Sequence, residues 1–373
     1  MADLKKITTR QLIIFYCIYS FSIKFLSFPQ ILAQGAGNAA WITAAIGTLI
    51  ELALLFLVLN VLVMGKNSDI YSDLRNNTKW IGAKFIILLM FCVFLLQLFI
   101  LLTQSFILIR INLFNDMNIH IFLVPLMLFG ILFCFVPARA IFRSGEIFYL
   151  LIILGLALAV FPALWKMNFS DLSPVFNKGV DSVFNSVYLN LIYFESAAFL
   201  LVFSGDIKID KNFRKKFMTT ASILGLFFVF FVFMCITVFG PLAPTKPVAI
   251  ANLTLYSNFL TQSGRLDWVL VCIWLMLLLL RFGATFYASF ACVRYLFNVK
   301  HRAGYIGFGI ATVLYLVYIF AVGDKTTLDS FIRTAAPGIA VLFFVIPIAC
   351  FVNALVNKRR FKTGSLESKG GKT

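Results

Sequence analysis

Four ionisable side chains stand near the middle of long apolar runs: Lys24, Glu51, Glu195 and Arg281. Facing lipid at a helix centre, each would cost about 2.5–3.5 kcal/mol. Two positive and two negative charges cancel, so they are expected to turn toward one another or toward a polar cavity. Lys24 lies in "SIKFLSFP" and Glu195 in "YFESAAF", and a carboxylate beside a buried ammonium keeps it protonated. The expectation is that these two face each other across a site for a zwitterion. The ligand's carboxylate would lie near Lys24 and the bare N–H groups of a half-helix, and its ammonium near Glu195 or freed backbone carbonyls. The plainer alternative is a Lys–Glu pair that only latches the two segments.

Ser22, Ser27 and Phe28 flank Lys24, and Tyr193, Ser196 and Ala197 flank Glu195; all are candidate ligand contacts. Gln97 and Gln104 are seven residues apart and share a helical face; they either line the cavity or bond between helices. Arg281, with Thr285 one turn on, stands in "LMLLLLRFGATFYASF". A permanent guanidinium there would replace a coupling cation, making the protein sodium-independent. Alternatively, Arg281 pairs with Glu51.

The elements that must position these residues follow from composition. Of 373 residues, 61% are hydrophobic and 13% charged, and the mean hydropathy of +0.97 excludes a water-soluble globular domain. Runs long enough to cross a bilayer, about 20 residues, are expected near 11–33, 39–63, 81–109, 121–137, 146–164, 183–204, 217–240, 266–293, 303–322 and 331–356. Residues 1–10 form a short N-terminal segment, 11–357 the membrane domain, and 358–373 a basic, disordered tail. With both termini cytoplasmic, most of the 32 Lys and Arg residues fall on the inner side. The net charge of +17 is therefore topological and does not point to nucleic acid. Within the loop 241–265, "AIANLTLYSNFL" reads as a short interfacial helix.

Ten spans divide into five plus five, and an odd unit repeated once must be inverted across the membrane. The repeats would cover about 11–164 and 183–356, with spans 1 and 6 broken at the midplane around a ligand. The seven cysteines have no paired spacing and read as packing residues. His120 and His301 fall in loops, and there is no phosphate-binding glycine loop, metal cluster or nucleophile triad. No enzyme, cofactor or metal is expected.

Six stretches in order carry a resemblance: "ITTRQL", "LSFPQILAQGAGNAAWI", "WIGAKFIILL", "FSDLSPVFNKGVDSVFNS", the Glu195 segment with its basic loop "DIKIDKNFRKK", and "GRLDWVLVCIWL". Together they resemble the B subunits of spore germination receptors, or spore permeases, within the amino acid-polyamine-organocation transporter superfamily. The resemblance implies an all-α, leucine-transporter-like membrane protein of the spore inner membrane that senses nutrients such as amino acids. It also implies an A subunit and a lipoprotein C subunit as partners. Relatives often place Gly-x-Gly in the first broken helix, where this chain has Ser22-Ile23-Lys24. Glycines would admit a carboxylate to bare backbone. Here the lysine either supplies the positive pole, or the ligand is no ordinary amino acid, or the pocket is closed. The competing function is a proton-coupled, sodium-independent amino-acid permease.

Overall fold

The computed structural model describes residues 6–65, 69–112, 118–194, 196–256, 267–299, 303–322 and 344–356, with positions 334, 338, 341 and 342. Among them the chain is helical, and its only β pairing is an isolated bridge between Ile7 and Ile207. The first helix, α1 (Thr9–Lys24), opens on a capping box. The Thr8 hydroxyl accepts from the Gln11 N–H, and the Gln11 side chain accepts from the Thr8 N–H.

Helix α1 stops at Lys24, and α2 (Phe28–Ala36) starts after a turn. Pro29 explains the break. It has no N–H to give, its ring would collide with the Phe25 carbonyl of a continuous helix, and it disfavours helical backbone at Phe28. At the start of a new helix the same proline is tolerated. The Leu26 carbonyl, left without an intrahelical donor, accepts from the Ala249 N–H at 3.0 Å. Helix α2 ends at Gly37, whose φ of +62° suits glycine and whose absent Cβ leaves room for Asn177.

Then come α3 (Ala40–Gly65), α4 (Ile70–Asn112), α5 (Ile119–Phe133) and α6 (Ala138–Leu164). Helix α4 begins well before the expected 81, because hydropathy marks only its apolar part while the backbone ladder continues through "IYSDLRNNTK". The expected sixth span is also interrupted. It comprises α7 (Val180–Leu189), a 3₁₀ turn at Leu191–Phe194, and one helical turn, α8 (Phe199–Val202). Asn190 closes α7 by bonding the Ser186 carbonyl with both its backbone and its side-chain N–H. Next are α9 (Phe213–Phe239), α10 (Ala249–Tyr256), α11 (Asp267–Phe297), α12 (Ala303–Val322) and a terminal helix, Phe344–Val356.

Among the described residues, five helical stretches are long and apolar enough to cross a membrane: Phe28–Gly65, Trp80–Arg110, Ala138–Leu164, Phe213–Thr245 and Val271–Phe297. Ile119–Phe133, Gly304–Phe320 and Phe344–Val356 are shorter apolar helices. The first and sixth expected spans meet no such length because each is cut in two. Helix α1 is the buried centre, packed by α6, α9 and α11, while α11 runs along α4 and α3 along α9. Helix α10, within the stretch expected at an interface, packs on α6 and α11 with Ile250 and Leu253 buried. The Leu26 bond holds its first turn inside the bundle.

At the face carrying the N-terminus, the chain is latched. Ile7 exchanges backbone hydrogen bonds with Asp206 and Lys208, and Thr9 donates to the Asp210 carboxylate at 2.8 Å. Ser204 caps the first N–H of α4, and Tyr295 donates to Asp69 at 2.8 Å. Burial pushes the Asp69 carboxyl above its ordinary range, against the Tyr295 hydrogen bond. It does the same at Asp206, against Lys6 and Arg294. A carboxyl raised in the folded state stabilises the fold most when protonated, so this contribution is full at acid pH and lost as pH rises through the raised value. Asp69→Asn keeps an oxygen for Tyr295 and removes the buried charge. Its melting temperature should gain on the parent's as pH goes from about 4 to about 7; parallel profiles would contradict this origin.

Candidate ligand site

The last turn of α1 carries a buried charge. Lys24 is 4% exposed and Glu51 of α3 is 5% exposed, and the two form an ion pair. Tyr16 and Ser20 both approach the second oxygen of Glu51 at 3.4 Å. These residues recur every four positions along α1, so they form one polar stripe aimed at α3. The ammonium also lies 5.2 Å from the Phe194 ring and 5.6 Å from the Phe228 ring, within reach of cation–π attraction. Gly47 admits that arrangement, since a Cβ there would strike the Phe194 ring at 2.2 Å. The space beside the pair measures about 10 Å³, room for about one water. Thr48 lines it with a buried hydroxyl that has no partner among the described residues.

The expected partner of Lys24, Glu195, lies outside the described residues; among the described residues Lys24 forms its ion pair with Glu51. Glu51 is thereby taken by Lys24, whereas Arg281 of α11 donates to the Tyr19 carbonyl of α1. Its guanidinium stacks 4.2 Å from the Tyr19 ring, whose other neighbour is Phe199 of α8 at 4.3 Å. Thr285 donates to the Arg281 carbonyl at 2.8 Å and to the Tyr19 hydroxyl at 3.2 Å. The Tyr19 hydroxyl in turn donates to Gln97 at 2.7 Å. Ser22 turns its hydroxyl back to the Tyr19 carbonyl at 3.0 Å.

On the far side of the break, Ser27 donates to Gln104. The shared face of Gln97 and Gln104 therefore grips α1 once before its interruption and once after it. Phe28 and Tyr193 stack with centroids 4.4 Å apart, joining the two interrupted segments. Ser27, Gln104 and Tyr193 line a cavity of about 390 Å³ between α2, α4 and α7, on the face opposite the N-terminus. Lys24 and Arg281 do not line it, and neither do Ser22, Gln97, Ser196 or Ala197. Ser196 and Ala197 are buried beyond Tyr193. A second cavity, about 670 Å³, opens at the N-terminal face between Asp69, Arg139, Asp206, Tyr287 and Arg294. Between the two lies the layer of Tyr19, Lys24, Glu51, Phe199 and Arg281.

Sequence reasoning passed over Tyr16, Tyr19 and Ser20, although the four-residue spacing to Lys24 was available. It also missed Ser182, Asn185 and Ser186 on α7 and Asn190 at its end, a polar stripe that lines the cavity of about 390 Å³. Tyr19 had no such signal, because an aromatic in a chain with 44 phenylalanines reads as packing.

Removing one partner of a buried ion pair leaves the other charge uncompensated, a loss of about 3–5 kcal/mol, whereas replacing both with matched neutral groups is close to neutral. Lys24→Met should therefore sharply lower the melting temperature of the detergent-purified protein, and adding Glu51→Gln should restore most of it. A double variant no better than the single would refute the pairing.

The family model of the spore permeases, described as "Spore germination protein", matches residues 6–326. Comparison with curated proteins gave no match. With most of the chain covered and apolar helices throughout, this is an integral membrane protein belonging to the spore germination protein family.

Proposed function

We propose that the chain is the nutrient-sensing membrane subunit of a spore germination receptor. Its ligand, a small molecule, binds near the bilayer midplane between the two interrupted segments. The cavity of about 390 Å³ carries this reading, because it reaches Ser27 at the first interruption and Tyr193 at the second. It falls within the size range of small-molecule sites. The architecture is ten spans as two inverted five-helix repeats, leucine-transporter-like, with both termini in the cytoplasm of the spore's inner membrane. A germination receptor A subunit and a lipoprotein C subunit are the partners that read out the signal.

A ligand bound to one arrangement of the segments shifts the population toward it by its differential affinity alone. The contact of α10 with Leu26, together with the Phe28–Tyr193 stack, ties the cavity walls to both breaks, so closure around a ligand strains the layer beneath. Asn185 is exposed at the cavity, and Asn185→Trp should fill it without disturbing the core. Spores with this variant should lose their nutrient response while keeping normal amounts of the protein in the membrane. A normal response would overturn the site.

The second reading is a proton-coupled permease, favoured by the cavities on both faces with one closed layer between them. Counterflow of labelled nutrient in liposomes, with uptake lost in growing cells on deletion, would select it over the sensor. In either case Arg281 fills the space between α1 and α11 with a fixed positive charge. The ligand response should therefore be unchanged when choline replaces sodium, and a sodium requirement would remove the guanidinium from that role.

A further inference from the structure

Helices α3 and α9 pack side by side, closely enough that a Cβ on Gly225 would strike the Thr48 methyl group. Leu49, Ala53, Phe56 and Val63 are exposed along α3, and Ile223, Leu226 and Phe230 along α9. Their three- and four-residue spacing makes one outward row on each helix, and in a membrane protein such rows face lipid. Asn60 belongs to the α3 row and is nonetheless buried, lying under Arg214 from the first turn of α9.

This contact is built from both sides. The Asn60 amide donates to the Phe56 carbonyl at 2.9 Å, and its oxygen accepts from the Arg214 guanidinium at 3.0 Å. The same guanidinium lies 5.7 Å from the exposed Phe56 ring. A guanidinium has five N–H donors, and its planar fork matches phosphate oxygens. Lys208, Lys211, Lys215 and Lys216 are exposed around Arg214; the neighbouring carboxylates are Asp206 and Asp210, and Asp210 already accepts from Thr9. The positive charge thus gathers where the two apolar rows end, at the face carrying the N-terminus. An amphiphile with an anionic head complements that pattern.

We propose that the seam between α3 and α9 seats an anionic diacyl phospholipid. Its phosphate lies on Arg214 and Lys215, and its acyl chains run along Phe56, Ile223 and Leu226. A zwitterionic lipid brings the same phosphate with an ammonium that the surrounding lysines repel, so the seat selects by net charge. The test is thermal unfolding of the purified full chain in neutral detergent, with phosphatidylglycerol or phosphatidylcholine of identical chains added. Phosphatidylglycerol should raise the melting temperature saturably and well beyond phosphatidylcholine. Arg214→Gln should raise the half-saturating concentration about tenfold, Lys215→Gln should raise it less, and Lys166→Gln, at the opposite face, should leave it at the parent value. Without lipid the exposed-site Lys215→Gln should melt like the parent, so it carries the test if Arg214→Gln fails to fold. Equal shifts from the two lipids, or a phosphatidylglycerol response unchanged in Arg214→Gln or, where that variant does not fold, in Lys215→Gln, would overturn the seat. A shift reproduced by inorganic phosphate or by a hexaglutamate peptide would overturn the lipid as its occupant.

Discussion

An ammonium buried at the end of a half-helix must be neutralised where it stands, and the Lys24–Glu51 pair meets that constraint. It pins the last turn of α1 to α3, so the interruption at Phe25–Ser27 becomes a fixed feature of the bundle. Around the pair, Tyr16 and Ser20 supply hydroxyls and Phe194 and Phe228 supply ring faces. The pair's net contribution to stability is small against a well-packed apolar alternative. What it confers is position, because no other register of α1 on α3 brings both charges together.

The second buried cation fixes the other side of the same helix. Arg281 and Phe199 hold Tyr19 between them, and Gln97 takes its hydroxyl. Helix α4 thus measures the first interruption with two glutamines, one bonded to Tyr19 and one to Ser27. Motion of α2 relative to α1 has to break or carry at least one of these bonds.

The resemblance expected from six short stretches agrees with the family match over residues 6–326. The opening "ITTRQL" forms the capping box that starts α1, and Pro29 in "LSFPQ" dictates the break. Both are local effects, decided within a few residues, and so they can be read without coordinates. The start of α4 at Ile70 was not readable from hydropathy, because a helix needs only its backbone ladder, and its polar first turns carry no apolar signal.

Sequence alone determined that this is a helical membrane protein, that two of its apolar segments are disturbed, and which buried charges need partners. Composition and proline chemistry act along the chain and leave no choice on those points. Only the tertiary structure decided that Lys24 goes to Glu51, that Arg281 goes to the Tyr19 carbonyl, and that the cavity of about 390 Å³ is walled by the amides of α2, α4 and α7. Such pairings join residues far apart in sequence, and the charge cancellation among them is satisfied by more than one assignment. Packing chooses among the assignments, and packing is a property of the assembled bundle.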